Sequence, residues 1–190
     1  MSGFSFELEP VDNDRGYGYR GRVGEFGEVD VFHDVTPLRH ESSRQVNLHG
    51  TQFPEALFSG GAGGIPSLDG GWLRVDGTVV ELELKVSGVR KGSRWLEMKH
   101  RDRDYTYGIA KKVVELRRGD RSISIGNGKF VSGIGRMRFG RVQGEVDATD
   151  LAIAIIMETV DTSALSTLGA LFAAPATFLF RPRRDEGTPC

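Results

Sequence analysis

The histidines are the residues of this chain whose side chains could ligate a metal or transfer a proton. They are His33, His40, His49 and His100. The first three lie near Asp34 and Glu41, but a zinc or acid–base site needs such groups at spacings that bring them together. Their spacings of seven and nine residues match no ligand motif. We therefore predict surface or turn histidines, with no metal and no cofactor.

Other local patterns for ion binding or catalysis are incomplete. Residues 12–16 open like a calcium-binding loop, but the position where a glutamate ligand is expected is Val23. The glycine run at residues 60–64 lacks the Gly-Lys-Ser/Thr ending of a phosphate loop, and a Gly-x-Ser-x-Gly nucleophile motif is missing. No catalytic residue is predicted, and an enzyme with a site built from the loops of residues 33–70 is the least favoured alternative.

Basic residues are concentrated in the middle of the chain, although the net charge is only −1. Residues 1–73 carry 5 arginines and 11 acidic residues, whereas residues 74–141 carry 17 basic and 8 acidic residues. The middle third is therefore the part suited to an anionic partner. The alternative is that its basic strands face the acidic ends of the same fold. Aromatic residues interleave with the cations there, but a near-zero net charge makes nucleic acid a less favoured partner than a lipid or another anion.

The middle of the chain also has the alternation of apolar and polar side chains that is typical of strands. Val80, Leu82, Leu84 and Val86 would share one face of a strand, with charged residues on the other face. The glycine-containing sequence at residues 126–129 predicts a hairpin turn. Further short strands are predicted at residues 95–99, 105–109, 112–116, 121–125 and 136–139. Strands repeating about every ten residues predict an antiparallel sandwich or barrel.

The first third is less regular, because glycine and proline interrupt it. Residues 4–8 alternate as an opening strand that ends at Pro10, and the dense glycines that follow predict bulged or tightly turning ribbon. Residues 35–71 hold three prolines and the GGAGG run, and are predicted to be rich in loops. We predict a single β-rich domain over residues 1–180 and a flexible tail at residues 181–190.

Residues 147–180 are far more apolar than the chain before them. Asp147 and Asp150 predict a helix start with a carboxylate variant of the capping box. Residues 151–157 are apolar on every side, which is typical of a helix buried all round. A second helical stretch is predicted to follow and to end before Pro175.

Three environments compete for this apolar block. The 19 uncharged residues from 162 to 180, followed by arginines, reach the minimum length of a membrane anchor, but polar residues dilute them. A surface amphipathic helix fits less well, since residues 151–157 have no polar face. A core helix accounts for both the apolar block and the alternating strands. The predicted fold class is therefore mainly β (β-rich α+β), an antiparallel barrel-like sheet with a buried apolar C-terminal helix.

The segments YTYGIAKKVVELRRGDRSISI and VDATDLAIAIIMETVD, within residues 79–164, resemble the tubby-like superfamily. That superfamily includes tubby C-terminal domains, phospholipid scramblases and LURP-one-related proteins, in which a β-barrel wraps a central hydrophobic helix. Tubby domains bind phosphoinositide headgroups through basic side chains on the barrel surface. The resemblance implies an anion site here, formed by Lys111, Lys112, Arg117, Arg118, Arg121, Arg136 and Arg138. Such a patch would hold phosphate through charge-assisted hydrogen bonds, and the alternative is a solvated strand face.

These features predict a non-enzymatic binding or scaffold module that recognises an anionic ligand, such as a phospholipid headgroup or a membrane surface, through the basic middle third. The alternative is a structural or assembly subunit that uses residues 165–180 as an interface with a protein partner. The single cysteine, Cys190, cannot form an internal disulfide, which favours a reducing, cytoplasmic setting, with membrane association if the ligand is a lipid.

Overall fold

The computed structural model describes residues 3–14, 16–34, 45–60, 66–68, 70–87, 94–110, 113–131 and 133–165. Within these ranges, twelve antiparallel strands form a closed barrel in which each strand pairs with its neighbours along the chain. The first and last strands close the ring, with Phe6 opposite Gly140. The predicted antiparallel barrel is confirmed.

The strands are short, and their order in the barrel is their order in the sequence. They are β1 (Ser5–Asn13), β2 (Gly16–Arg22), β3 (Glu28–Asp34), β4 (Gln45–Gly50), β5 (Ala56–Ser59), β6 (Trp72–Val75), β7 (Thr78–Val86), β8 (Arg94–His100), β9 (Arg103–Ala110), β10 (Val113–Arg118), β11 (Arg121–Val131) and β12 (Gly135–Gln143). Alternate side chains point into the barrel, as period-two patterning requires. Leu96 and Met98, for example, are buried on β8.

The helix α1 (Ala148–Ile156) runs inside this barrel. It contacts β4, β5 and β6 on one side and β11 on the other, and β5 and β11 are half a ring apart. Every residue from Asp150 to Ile156 is buried. The apolar inner faces of the strands and the apolar helix therefore cover one another, which confirms the predicted core helix.

The start of α1 is capped as the sequence predicts. Asp147 Oδ1 accepts hydrogen bonds from the backbone N–H groups of Thr149 (3.0 Å) and Asp150 (3.1 Å). In return, Asp150 Oδ2 accepts one from the backbone N–H of Asp147 (3.2 Å). This reciprocal arrangement satisfies the first N–H groups of the helix, which have no partner within it.

The two ends of the barrel are distinguished by the described elements that reach them. At the end where α1 begins, tight turns at residues 76–77, 101–102 and 119–120 join the strands; we call it the capped end. At the opposite end, β7 finishes at Val86 and β9 at Ala110. The chain leaves the barrel there through the 3-10 turns Met157–Thr159 and Ser163–Leu165. We call this the open end.

Two local expectations were wrong, each because a strand extends further than the sequence suggests. β1 continues through Pro10 to Asn13, since its second half pairs with β2 alone and Pro10 lies outside the pairing with β12. The glycines of residues 126–129 belong to β11, where the pairing with β12 shifts register between Asn127 and Phe130, so the turn comes later.

The C-terminal part of the apolar block is only partly described. The predicted second helical stretch begins as the 3-10 turn Ser163–Leu165, and residues 166–190 lie outside the described residues. Most of the segment weighed as a membrane anchor is therefore not described. Among the helices that are, none combines the length and the apolarity needed to span a bilayer.

Candidate functional site

Arg118 and Arg103 hold the N-terminus of α1 at the capped end. Arg118 donates from Nε to Asp150 Oδ1 (2.9 Å) and from Nη2 to Asp150 Oδ2 (2.5 Å). Arg103 Nη1 donates to Asp147 Oδ2 at 2.7 Å and lies 3.7 Å from Asp150 Oδ1. Asp150 is nearly fully buried, so its charge requires this compensation.

Tyr105 completes the network at the capped end. Its hydroxyl donates to Asp150 Oδ1 at 3.0 Å. Burial, reinforced by the charge of Asp150, raises the pKa of Tyr105 to about 12, so the hydroxyl keeps its proton at neutral pH. The cavity beside these residues is only about 10 Å³, which is too small for a ligand. The side chains of this network therefore bind one another, and their role at the capped end is structural.

At the open end, Arg138 and Glu158 form a buried ion pair. Arg138 Nε lies 3.0 Å from Glu158 Oε2, but its N–H is not aimed at this oxygen, so the contact is an ion pair without an aligned hydrogen bond. Arg138 also donates to Asn127 Oδ1, and its guanidinium lies 5.0 Å from the centre of the Tyr19 ring. β12 supplies Arg138 from its inner face, and Glu158 comes from the turn that continues α1.

Glu158 is an unusual residue for its position. Its side chain is only 6% exposed, and Oε1 has no hydrogen-bond partner among the described residues. Burial raises the pKa of Glu158 to about 7, and Arg138 opposes this increase. At neutral pH this carboxyl group therefore exchanges between its charged and neutral forms, which is typical of residues in functional sites.

Two cavities flank the Arg138–Glu158 pair. The smaller, of about 300 Å³, lies between the pair and the inner sides of β9, β10 and β11, with Tyr107, Val114 and Ile125 in its lining. The larger, of about 390 Å³, lies on the side of β1 and β2. Arg138 and Glu158 line both. Each volume is in the range of small-molecule sites. We call the larger one the open-end cavity.

The open-end cavity has a polar and aromatic lining. Arg136 and Arg138 come from β12, Asp12 from β1, and Tyr17 and Tyr19 from β2. On β12, even-numbered residues such as Gly140 and Val142 point inward and are buried, so the two arginines share this inner face. Phe139, which lies between Arg138 and Gly140 on β12, is on the outer face and is 39% exposed.

The residues predicted to bind an anion are divided between the two ends of the barrel. Arg118 and Arg121 line the small cavity at the capped end, where Arg118 is engaged by Asp150. Arg136 and Arg138 meet in the open-end cavity. Arg117 is outside the barrel and pairs with Glu115 on its own strand at 2.6 Å. Lys111 and Lys112 lie outside the described residues.

The histidines do not converge. His33 is 1% exposed, faces the interior and packs its ring 4.8 Å from that of Tyr17, so the prediction of a surface position was wrong for it. His49 is exposed on β4, opposite Asp30 and near the capped end. His40 lies outside the described residues. Within the described ranges, no group of three or more histidine, cysteine or acidic side chains could hold a metal ion.

His100 is the other buried histidine. Its Nε2 lies 3.3 Å from the carbonyl oxygen of Val75, and burial lowers its pKa. It is at the capped end, far from the cavities of the open end. We assign it a packing role.

Sequence reasoning missed Glu158, Tyr17 and Tyr19 as site residues. The signal for Glu158 was present, because an acidic residue that directly follows a wholly buried helix must itself be buried or lie at an opening. The tyrosines gave no comparable signal, since they lie in a glycine-rich segment without apolar alternation.

No protein-family model, curated protein or solved structure matches this chain.

Proposed function

We propose that this protein is a non-enzymatic binding module that holds an anionic group, a phosphate or carboxylate such as that of a phospholipid headgroup, in the open-end cavity. The observation that carries the proposal is that Arg136 and Arg138 line this one cavity from the same face of β12. Arginine pairs are suited to such groups because each guanidinium can donate two parallel hydrogen bonds.

The two arginines are placed for different tasks. Arg138 is fixed by Glu158, Asn127 and the Tyr19 ring, so its position is set before a ligand arrives. Arg136 is exposed and has no carboxylate within ion-pair distance among the described residues. A ligand would therefore be oriented by a cation that is already held in place and would be reached first by an exposed one.

A lipid is favoured as the source of the anionic group by the surface next to the cavity. Phe130 is 64% exposed and Ile134 is 49% exposed, both near the end of the β11–β12 hairpin. Phe130 is directly opposite Arg136 in the strand pairing, and Ile134 lines the cavity. Exposed apolar side chains beside cations are suited to the boundary between headgroups and acyl chains. The proposal also draws on the resemblance to the tubby-like superfamily, in which a β-barrel likewise wraps a hydrophobic helix.

Vesicle binding tests the proposal. We expect the chain to sediment with phosphatidylcholine vesicles that contain anionic lipid, and to be released as salt is raised from 50 to about 500 mM, because salt screens such contacts. Inorganic phosphate should compete if the phosphate group alone is recognised. Vesicle binding that neither salt nor competing phosphate reduces would overturn the proposal.

A pair of variants locates the binding site. Arg136→Gln should weaken binding to anionic vesicles about fivefold or more, because a charge-assisted hydrogen bond is lost. Arg117→Gln removes the same charge from the outer face of β10 and should leave binding nearly unchanged. Equal losses in the two variants would show that only the overall charge matters.

A structural or assembly subunit is the second candidate, and one observation favours it. Leu84, Val86 and Ile109 occupy inward-facing positions of their strands at the open end, yet they are 44%, 54% and 37% exposed. Arg94, opposite Val86, donates from Nη1 to the carbonyl oxygen of Ala164 at 3.3 Å, so the apolar residues 165–180 begin beside this patch. Light scattering of the full chain tests this candidate: a monomer at all concentrations would exclude self-assembly, and a partner-dependent shift in mass would support it.

A further inference from the structure

The charges that line the open-end cavity are balanced. Arg136, Arg138, Asp12 and Glu158 all line this cavity. A site built only for an anion would not place two carboxylates beside it, because each would repel the ligand. The lining therefore has room for a positive group as well as a negative one.

Glu158 marks where the positive group would bind. Its side chain is more than nine-tenths buried, and it lines the cavity. Oε2 is close to Arg138, whereas Oε1 has no hydrogen-bond donor among the described residues. A buried carboxylate oxygen without a donor is costly, and a ligand that supplies an N–H donor removes that cost.

The aromatic lining favours the same chemistry. Tyr17 and Tyr19 border the cavity, and the Tyr17 ring is partly exposed. The Tyr19 ring already carries the guanidinium of Arg138 against it, which shows that a cation can be accommodated there. Aromatic faces attract ammonium groups through the negative potential of the ring.

We propose that the open-end cavity binds a zwitterionic ligand of the aminoalkyl phosphate class, with its ammonium group at Glu158 and Asp12 and its phosphate at Arg136 and Arg138. This inference rests on the proposed function, because it adds a second recognised group to the anion already assigned there. The ligand could be a free aminoalkyl phosphate or the headgroup of an aminophospholipid, since both present the same two charges.

Calorimetry with two matched probes tests the inference on the intact chain. Phosphoethanolamine and ethyl phosphate have the same anionic group, but only the first has an ammonium group. We expect phosphoethanolamine to bind about tenfold more tightly, the effect of one charge-assisted hydrogen bond. Equal affinities would overturn the zwitterion inference and leave the anion site in place, whereas binding of neither probe, together with no anion-dependent vesicle binding, would overturn both.

Two variants assign the ammonium site. Glu158→Gln should reduce the preference for phosphoethanolamine to near unity. Because Glu158 also helps to fix Arg138, the quantity measured is the ratio of the two affinities within the same variant. Asp12→Asn serves as a second variant, because Asp12 is exposed at the rim and its replacement should not disturb folding; it should reduce the preference about twofold to threefold. An unchanged preference in both variants would contradict the placement.

Vesicles separate the two sources of the ligand. Phosphatidylethanolamine mixed into phosphatidylcholine vesicles should recruit the chain if the headgroup is the natural ligand, and free phosphoethanolamine should displace it. Binding of the free compound without recruitment to vesicles would support the same ligand class from a soluble source.

Discussion

Arg118 on β10 donates two parallel hydrogen bonds to Asp150 on α1, and so joins the barrel wall to the helix that the barrel encloses. Asp150 at the same time completes the helix cap with Asp147. One carboxylate thus serves both the local structure of the helix and its docking in the barrel. The sequence predicts that Arg118 binds a ligand, whereas in the structure it holds the helix in the barrel.

Replacing Arg118 with methionine should lower the free energy of unfolding by about 3 kcal/mol, because among the described residues it leaves the buried Asp150 with Arg103 as its only nearby cation, at 3.7 Å. Urea unfolding monitored by tryptophan fluorescence measures the change. Arg117→Met is the matched control, since its side chain is 62% exposed and its ion pair with Glu115 contributes less than about 1 kcal/mol. Similar effects of the two substitutions would contradict the role given to Arg118.

Glu158 should make stability fall as pH rises. Its pKa is raised from 4.5 to about 7 on folding, so the folded chain binds more protons than the unfolded chain between those values. The stabilisation is fully present below pH 4.5 and is lost by about pH 7, a change of about 3 kcal/mol. The free energy of unfolding is measured for the native chain and for Glu158→Gln from pH 4.5 to 8. The difference between the two pH curves gives the contribution of Glu158.

Other titrating groups should cancel in that difference. His100, whose pKa burial lowers, acts in the opposite direction but is present in both chains. Burial raises the pKa values of Tyr19 and Tyr107 near Glu158, so both tyrosines keep their protons in this range, and Arg138 is present in both chains. A difference that is constant with pH would show that Glu158 is ionised throughout.

Gly140 should not tolerate even alanine. Its Cα is covered by the ring of Phe6, which a Cβ atom would overlap. We expect Gly140→Ala to cost about 1–3 kcal/mol through displacement of that ring. Gly126→Ala on the neighbouring strand is the control, because its Cβ would meet Val113 at 3.5 Å, an ordinary contact. Thermal unfolding of both variants decides between crowding and a general effect of replacing glycine.

The enclosed helix should be sensitive to cavities. Ile153 is fully buried at the centre of α1, and Ile153→Ala should cost about 2–5 kcal/mol through lost contacts and the space left behind. Val79→Ala, on an exposed part of β7, should cost less than about 1 kcal/mol. A small effect at Ile153 would mean that the interior can collapse around the missing atoms.

The barrel and its helix were predictable where apolar residues follow a strict period. Val80 and Leu82 alternate with charged residues. Residues 151–157 form an apolar run that has no polar face, which excludes a surface helix. β2 was not predictable in this way, because glycine occupies its strand positions. A Cβ at Gly18 would collide with the carbonyl oxygen of Val31 on β3, so glycine there permits close approach of two strands rather than a turn.

The site was less predictable than the fold, because it depends on contacts between distant parts of the chain. The sequence shows that Arg136 and Arg138 share a face of β12, but not that this face points inward. That orientation follows from Gly140, which makes room for Phe6, and from Glu158, which receives Arg138. No local pattern contains either partner.

The enclosed helix follows the last strand in the sequence, and this order has a consequence for how the chain acquires its structure. While the ribosome is still synthesising residues 148–156, the residues of all twelve strands have already been synthesised. The helix that fills the interior of the barrel is not yet available to them. The ring also cannot close until β12 reaches β1 from the far end of the domain, which is a slow, long-range step. Nascent chains of this protein should therefore expose apolar strand faces until residues 148–156 have been synthesised, which makes them substrates for chaperones during translation.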